Sequence, residues 1–263
     1  MSVYVFVGPT IGPDEASKEL DAIFLPPAAQ GDVYRIASEG ARAIGIIDGY
    51  FENVPAVWHK EILWAMSQGV HVFGAASMGA CRAAELQAFG MVGVGQIFEL
   101  FLHGKLEDDD EVAVAHCPAE FGYRPTSVAM VNIRATLAAA RANAIIAEAT
   151  CRRLERIAKD LFYPNRRYEL VIEQAIHEKL PGPELSRFAD WLPSGAVDQK
   201  RIDALAMLRT MRRQIAADAK PNRVGFFFEH SWVWEQLVRE STGASSNSAT
   251  DENATASHPA GAR

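Results

Sequence analysis

The chain has 263 residues, 49% of them hydrophobic, and a net charge of −7, with 26 Lys and Arg against 33 Asp and Glu. That length and apolar content suit one large domain or a domain with a helical appendage, and an acidic balance without a basic stripe excludes a nucleic-acid surface, which needs clustered Lys and Arg against phosphate. Three cysteines without paired short spacing form neither a disulfide framework nor a Cys-rich zinc site; with no basic leader at the start and no apolar run near the roughly 20 residues of a membrane span, a cytoplasmic protein is expected.

Val3 to Val7 is a β-branched and aromatic run stopped by Gly8-Pro9, a first strand and its turn. Ala22 to Leu25, ahead of Pro26-Pro27, reads as a second strand. Between Gly31 and Glu39 the spacing of Val33, Ile36 and Ala37 is helical, with Asp32 as N-cap or first-turn acid. Ala43 to Ile47 is a buried strand ending at Asp48-Gly49. Pro55 is expected to open an amphipathic helix carrying Val57, Ile62, Leu63 and Met66 inward and closing near Gly69. Val70 to Phe73 is the next strand, followed by small residues and a helix-forming segment rich in Ala, Leu, Arg and Glu.

Apolar strands alternating with helices indicate a parallel sheet flanked by helices, a Rossmann-like three-layer α/β sandwich. Ligands in such sheets bind outside the carboxyl ends of the strands. Gly8 and Thr10, Asp48 and Gly49, and Ser77 and Met78 therefore converge on one crevice. Ala75-Ala76-Ser77-Met78-Gly79 differs by one Ala-for-Gly change from the G-x-S-x-G elbow that presents a serine nucleophile on a strand-to-helix turn.

Phe89-Gly90 ends that helix, and Ile97 to Leu102 reads as a short apolar helix. The acidic run Leu106 to Glu111 reads as a solvated loop or docking surface in preference to a magnesium site, leading into a strand, Val112 to Ala115, that ends at His116. From Thr126 or Ser127 to about Ile215 the chain is mostly helical, broken near Pro164, Pro181, Pro183 and Pro193. Val224 to Trp234 is an aromatic cluster that is either the last piece of core, the favoured reading, or an exposed partner site, and the Ser, Ala and Thr-rich end reads as disordered. The expected division is an α/β core over 1–125, a helical part over 126–240 and a tail over 241–263.

A serine nucleophile needs a base and a group that orients it. His59 stands first as base and His116 second, with Asp48 or Glu61 as orienting carboxylate; His103 caps a helix end and His71 lies within a strand. Cys81 falls a full helical turn beyond the elbow, a weaker nucleophile by position. Gly8, Thr10, Gly49, Met78, Gly79, Arg82 and His116 are the candidate substrate-binding residues. There is no Walker A sequence and no H-E-x-x-H, and Gly93 to Phe98 lacks the last glycine of the dinucleotide fingerprint and a strand before it, so neither cofactor nor metal is expected.

The stretch Ile46 to Phe51 with Val54 to Leu63, followed by Gly74 to Ala80, resembles the core of TfuA-like proteins. Leu25 to Asp32 upstream fits, as do Gly104 to Val114 and Tyr123-Arg124-Pro125 downstream, so the likeness covers about Val3 to Leu137. The resemblance implies partnership with YcaO-type enzymes, ATP-dependent cyclodehydratases that activate a peptide-backbone amide oxygen, in backbone thioamidation during ribosomal peptide natural-product biosynthesis and at the thioglycine of methyl-coenzyme M reductase. It further implies sulfur delivery, by hydrolysis of the C-terminal thiocarboxylate of a small ThiS-like carrier and release of sulfide beside the YcaO active site. Under that scheme Ser77 attacks the thiocarboxylate carbon, His59 is the base, Asp48 or Glu61 orients it, and the Met78 N–H helps to bind the oxyanion. Two other readings stay open: a non-catalytic adaptor or activator docking the carrier or substrate to the YcaO enzyme, and a hydrolase of ordinary esters or amides. Homo-oligomerisation is also open.

Overall fold

The computed structural model describes residues 2–52, 54–217 and 220–247, with side chains through 241. Two units are present, one ending at Phe226 and one beginning at Phe227. Five strands, β1 (Val3–Phe6), β2 (Ile23–Leu25), β3 (Ala43–Ile46), β4 (His71–Ala75) and β5 (Val92–Val94), form a parallel sheet in the order β2-β1-β3-β4-β5. The expected α/β sandwich is therefore the fold. The helices of the first unit are α1 (Pro13–Ala16), α2 (Asp32–Ser38), α3 (His59–Ser67), α4 (Met78–Leu86), α5 (Gln96–Leu102), α6 (Met130–Ala142), α7 (Glu148–Asp160), α8 (Tyr168–His177), α9 (Gly182–Gly195) and α10 (Gln199–Ala217). No helix among the described residues is long and apolar enough to cross a membrane.

Strand side chains alternate between faces. Phe6, Ile44, Ile46 and Val72 join α2, α3 and α4 in one apolar core, while Val5, Ala43, Phe73 and Ala75 join α1 and α10 in another. A third cluster, with Ile133, Leu137, Leu154 and Phe188, holds α6, α7, α8 and α9 together. The helical half thus builds a core of its own and sends α10 back to cover a sheet face. Gly45 permits that return, since a Cβ there would lie 2.8 Å from Met211 Sδ and 3.0 Å from Met207 Cε on α10.

Several sequence expectations are corrected. The helix expected from Pro55 starts at His59, because 54–58 is held extended by the Ala56–Ala29 bridge and by the Gln30 N–H on Pro55 O at 2.8 Å. Val112 to Ala115 is not a strand: Val112 O accepts Lys200 Nζ, the Ala115 N–H goes to Ser127 Oγ, and Ala115 O takes the Thr126 N–H, so its polar backbone is satisfied without a ladder. β5, by contrast, arises from only Val92-Gly93-Val94, too short to show a periodic signal. The aromatic cluster divides: Val224 and Phe226 pack on the first core, whereas Phe227 is 91% and Trp232 74% exposed. Helix α11 (Trp232–Asn247) occupies the start of the expected tail, and 248–263 lie outside the described residues.

Two local devices fix the layer of α2, α3 and α4. The buried Glu61 carboxylate accepts the N–H groups of Gly31, Val33 and Tyr34 at the start of α2 and of Trp58 at the start of α3, serving the orphan donors of two helix ends at once. Burial pushes its pKa up to about 7 against the pull of those N–H groups. At α4, a Cβ on Gly79 would sit 1.7 Å from Ile46 O and one on Gly74 2.1 Å from Gly79 O, so helix and strands meet backbone to backbone. Gly79→Ala is expected to destabilise by about 3 kcal/mol or more, because the obstacle is rigid backbone. Glu61→Ala, leaving four inward N–H groups unpaired, is expected to cost about 3–5 kcal/mol. Urea midpoints of the two variants against wild type check both.

Candidate functional site

The chain runs from β1 outward to β2 and then returns to the other side of β1 as β3, so the strand order reverses between β1 and β3. A crevice opens there at the strands' carboxyl ends. Its two lips are tied: the Asp48 carboxylate, just past β3, accepts the Thr10 N–H at 3.0 Å and the Thr10 Oγ1–H at 2.6 Å. Gly8 and Gly49 keep the walls closed, since a Cβ on Gly8 would be 2.5 Å from Pro27 Cγ and one on Gly49 2.9 Å from Met78 Cγ.

Between β4 and α4 the backbone reverses in three residues. Ala76 has φ 65°, and the Ser77 N–H donates to Ala75 O at 2.7 Å across it. A left-handed alanine of this kind costs about 1–3 kcal/mol and persists only where its surroundings impose it. Ser77 follows directly; its hydroxyl does not cap α4, and the residue lines a cavity of about 210 Å³ together with Asp48, Tyr50, His116, Tyr163 and Lys200. Met78 opens α4, and the N–H at a helix's first residue has no intrahelical acceptor and lies at the positive end of the dipole.

The sequence candidates fall into separate groups. Asp48, Ser77 and His116 line this cavity. His116 donates Nδ1–H to Cys117 O at 2.8 Å, since a carbonyl can only accept, which leaves Nε2 as the basic nitrogen; its ring stands edge-on to Tyr123. His59 is not brought to the cavity: its Nε2 lies 2.6 Å from Glu85 Oε2 at the surface. Arg82 joins that cluster, with Nε on Val57 O and a guanidinium N–H on Glu85. Burial raises the Glu85 carboxyl, yet His59 and Arg82 together hold it below its usual value. Glu61 caps α2 and α3, and Gly79 is consumed in helix–strand packing. Burial pushes the Cys81 thiol up to about 12, which keeps it protonated and removes it as a nucleophile near neutral pH.

The acidic run is solvated only in part: Glu107, Asp108 and Asp109 are exposed, while Asp110 is half-buried and Glu111 buried. Lys159 Nζ stands among Asp108, Asp110 and Glu111, where a metal would otherwise be considered. Arg134 grips Glu111 with two bonds of 2.9 Å, and the buried Arg166 pairs with Asp110. These pairs lock the segment leading to His116 onto α6 and α7.

Lys200 is the residue that sequence reasoning missed. On the first turn of α10 it is 3% exposed, donates Nζ to Val112 O at 2.8 Å and stands 4.0 Å from Asp48 Oδ1. It also walls a second cavity, of about 250 Å³, that shares Pro9 and Val114 with the first. A signal existed: Lys200 and Asp203 extend the helical stripe Ala204, Met207, Leu208 and Met211 by one turn, so two charged residues lie on a core-facing line. Burial drives the Lys200 pKa down, while Asp48 and Asp198 pull it up. Cys81 is the third charged-capable group acting on it, and Tyr50, Glu52, His116 and Tyr163 line the same cavity. Because the native value is lowered, the unfolded chain binds the extra proton below the ordinary lysine value of 10.5. Measured by urea midpoints, wild type should therefore lose stability relative to the non-titrating Lys200→Met as pH falls from that value through the lowered native one.

No curated protein matches this chain. Residues 48–167, the stretch that carries Asp48, Ser77, His116 and Tyr163, match the family model described as TfuA-like protein.

Proposed function

We propose that the protein delivers sulfur for YcaO-dependent peptide-backbone thioamidation by hydrolysing the C-terminal thiocarboxylate of a ThiS-like carrier. TfuA-like proteins belong to the YcaO and thioamidation context, which supplies the reaction class. The single observation that carries the hydrolytic reading is Ser77, placed after a left-handed Ala76 at the head of α4 and lining a cavity with Asp48, His116 and Lys200. Hydrolysis of a thiocarboxylate is acyl transfer to water and needs a nucleophile, a base and an oxyanion site.

In this reading the carrier's extended C-terminal tail enters the crevice and Ser77 Oγ attacks the thiocarboxylate carbon. The Met78 N–H, first in α4, meets the oxyanion. Sulfide leaves and water releases the carrier as its carboxylate. The base comes from within the cavity, because His59 is engaged by Glu85. Asp48, held by Thr10, fixes the crevice geometry around it.

Sulfide release from a thiocarboxylated ThiS-like carrier, without YcaO enzyme, tests the proposal. Ser77→Ala should slow release by about a hundredfold or more with carrier binding unchanged, and His59→Ala should stay within about threefold of wild type. Absence of release by the wild type, with the carrier still bound, would instead favour the adaptor, a protein that docks carrier to YcaO enzyme without chemistry. Turnover of simple activated esters but not of the thiocarboxylate would mark an ordinary hydrolase.

A further inference from the structure

We propose that the amine of Lys200 is the base that takes the proton of Ser77, making the site a Ser–Lys pair completed by α10; this rests on the hydrolytic reading above. Ser–Lys pairs replace Ser–His on several unrelated folds.

Three observations lead there. Lys200 is a buried amine with few contacts that would hold it charged: one hydrogen bond to Val112 O and an approach of 4.0 Å to Asp48, whose oxygens Thr10 already occupies. A pair so loosely made stabilises little, so structure alone does not account for it. Next, Lys200 and Ser77 line one cavity at matching depth, 3% and 2% exposed, while His116 is only half buried beside Tyr123. Last, the four-carbon stem of lysine lets Nζ turn from Val112 O toward the cavity, and burial favours its neutral, basic form.

The chemistry balances. Ser77 Oγ forms a bond to the thiocarboxylate carbon as its proton passes to Nζ. The C–S bond then breaks, its electron pair stays on sulfur, and the ammonium returns the proton, so hydrosulfide leaves and Ser77 carries the acyl ester. Water attacks the ester carbon with Nζ again taking the proton, the C–Oγ bond breaks, and Oγ recovers its hydrogen. The net change is thiocarboxylate plus water to carboxylic acid plus hydrosulfide. Asp48, 4.0 Å away, stabilises the ammonium during each transfer.

The test uses the full chain and the thiocarboxylated carrier with wild type, Ser77→Ala, Lys200→Met, Lys200→Arg and His116→Asn. Lys200→Met should fold with an unchanged or raised Tm, since a buried ion replaced by an apolar side chain of similar length is commonly tolerated. Its kcat should fall by about a hundredfold or more while KM stays within about threefold. Lys200→Arg should be equally slow, because a guanidinium does not give up its proton near neutral pH. The acidic limb of the wild-type kcat/KM profile should vanish from the residual rate of both. Loss of release in Ser77→Ala with retention in Lys200→Met overturns this inference alone and gives the base role to His116, the more so if His116→Asn is inactive. Full release by Ser77→Ala, or none by wild type, overturns the hydrolytic reading and this inference with it.

Discussion

The structure depends on the seating of α10 against the face of the sheet that α2, α3 and α4 leave bare. Without that helix, Val5, Phe73 and Ala75 would meet water, since their cover comes from Ala204, Met207, Leu208 and Met211 together with α1. The approach is set by what is missing at Gly45, where any side chain would run into Met207 and Met211. Ties at the rim hold the helix in register: Arg209 grips Glu19 with two bonds, Arg42 reaches Ile215 O, and the Asp203 carboxylate takes the Ile97 N–H at the start of α5. Gly95, at φ 100°, leaves room for that carboxylate, since a Cβ would lie 2.3 Å from Asp203 Cγ. One helix therefore closes a core, caps another helix and, through its first turn, carries Lys200 to the crevice.

Much of the α/β half was legible because its signals are local and repetitive. Val3 to Val7 and Ala43 to Ile47 are continuous apolar runs ended by Gly-Pro and Asp-Gly, and such runs between helical patterns specify a parallel sheet almost regardless of context. The crevice followed from topology alone: once the strands are parallel, Thr10, Asp48 and Ser77 must gather at one edge. Failures occurred where the decisive partner is far along the chain. Glu61 looks like an orienting carboxylate beside His59 until it is seen that Gly31, Val33 and Tyr34 present N–H groups to it across 27 to 30 residues. His59 looks like a base until Glu85 and Arg82 rise beside it from α4. Val112 to Ala115 has strand composition, yet Lys200 and Ser127 satisfy the backbone groups that a neighbouring strand would otherwise have had to meet.

The charge pattern makes the same point. Five successive acids, Glu107 to Glu111, look like a solvated loop when only neighbours are considered. The cations that face Asp108, Asp110 and Glu111 come from Arg134, Lys159 and Arg166, spread over α6, α7 and the turn beyond. Surface pairs contribute little individually, but a network with Glu111 and Arg166 nearly inaccessible fixes where a segment lies more than how stable it is. Here the segment so fixed runs directly into Val112 to His116, one wall of the cavity. The paired part of the acidic run thus acts on the site by position.

The family-matched stretch, 48–167, contributes Asp48, Ser77, His116 and Tyr163 to the cavity, yet the carboxylate of Asp48 is held by Thr10 from before it and faced by Lys200 from after it. Each outside residue does something the matched stretch does not do for itself. Thr10 supplies both hydrogen-bond donors that hold Asp48 in place, and Lys200 brings its amine to 4.0 Å from it. The strain at Ala76 belongs to the same economy: a left-handed alanine is tolerated because Gly74 and Gly79 lock backbone to backbone on either side of it, so the packing that imposes the strained turn also aims the residue that follows. A sequence segment can carry the recognisable motif while the electrostatics that would make its serine reactive arrive on a helix with no motif at all.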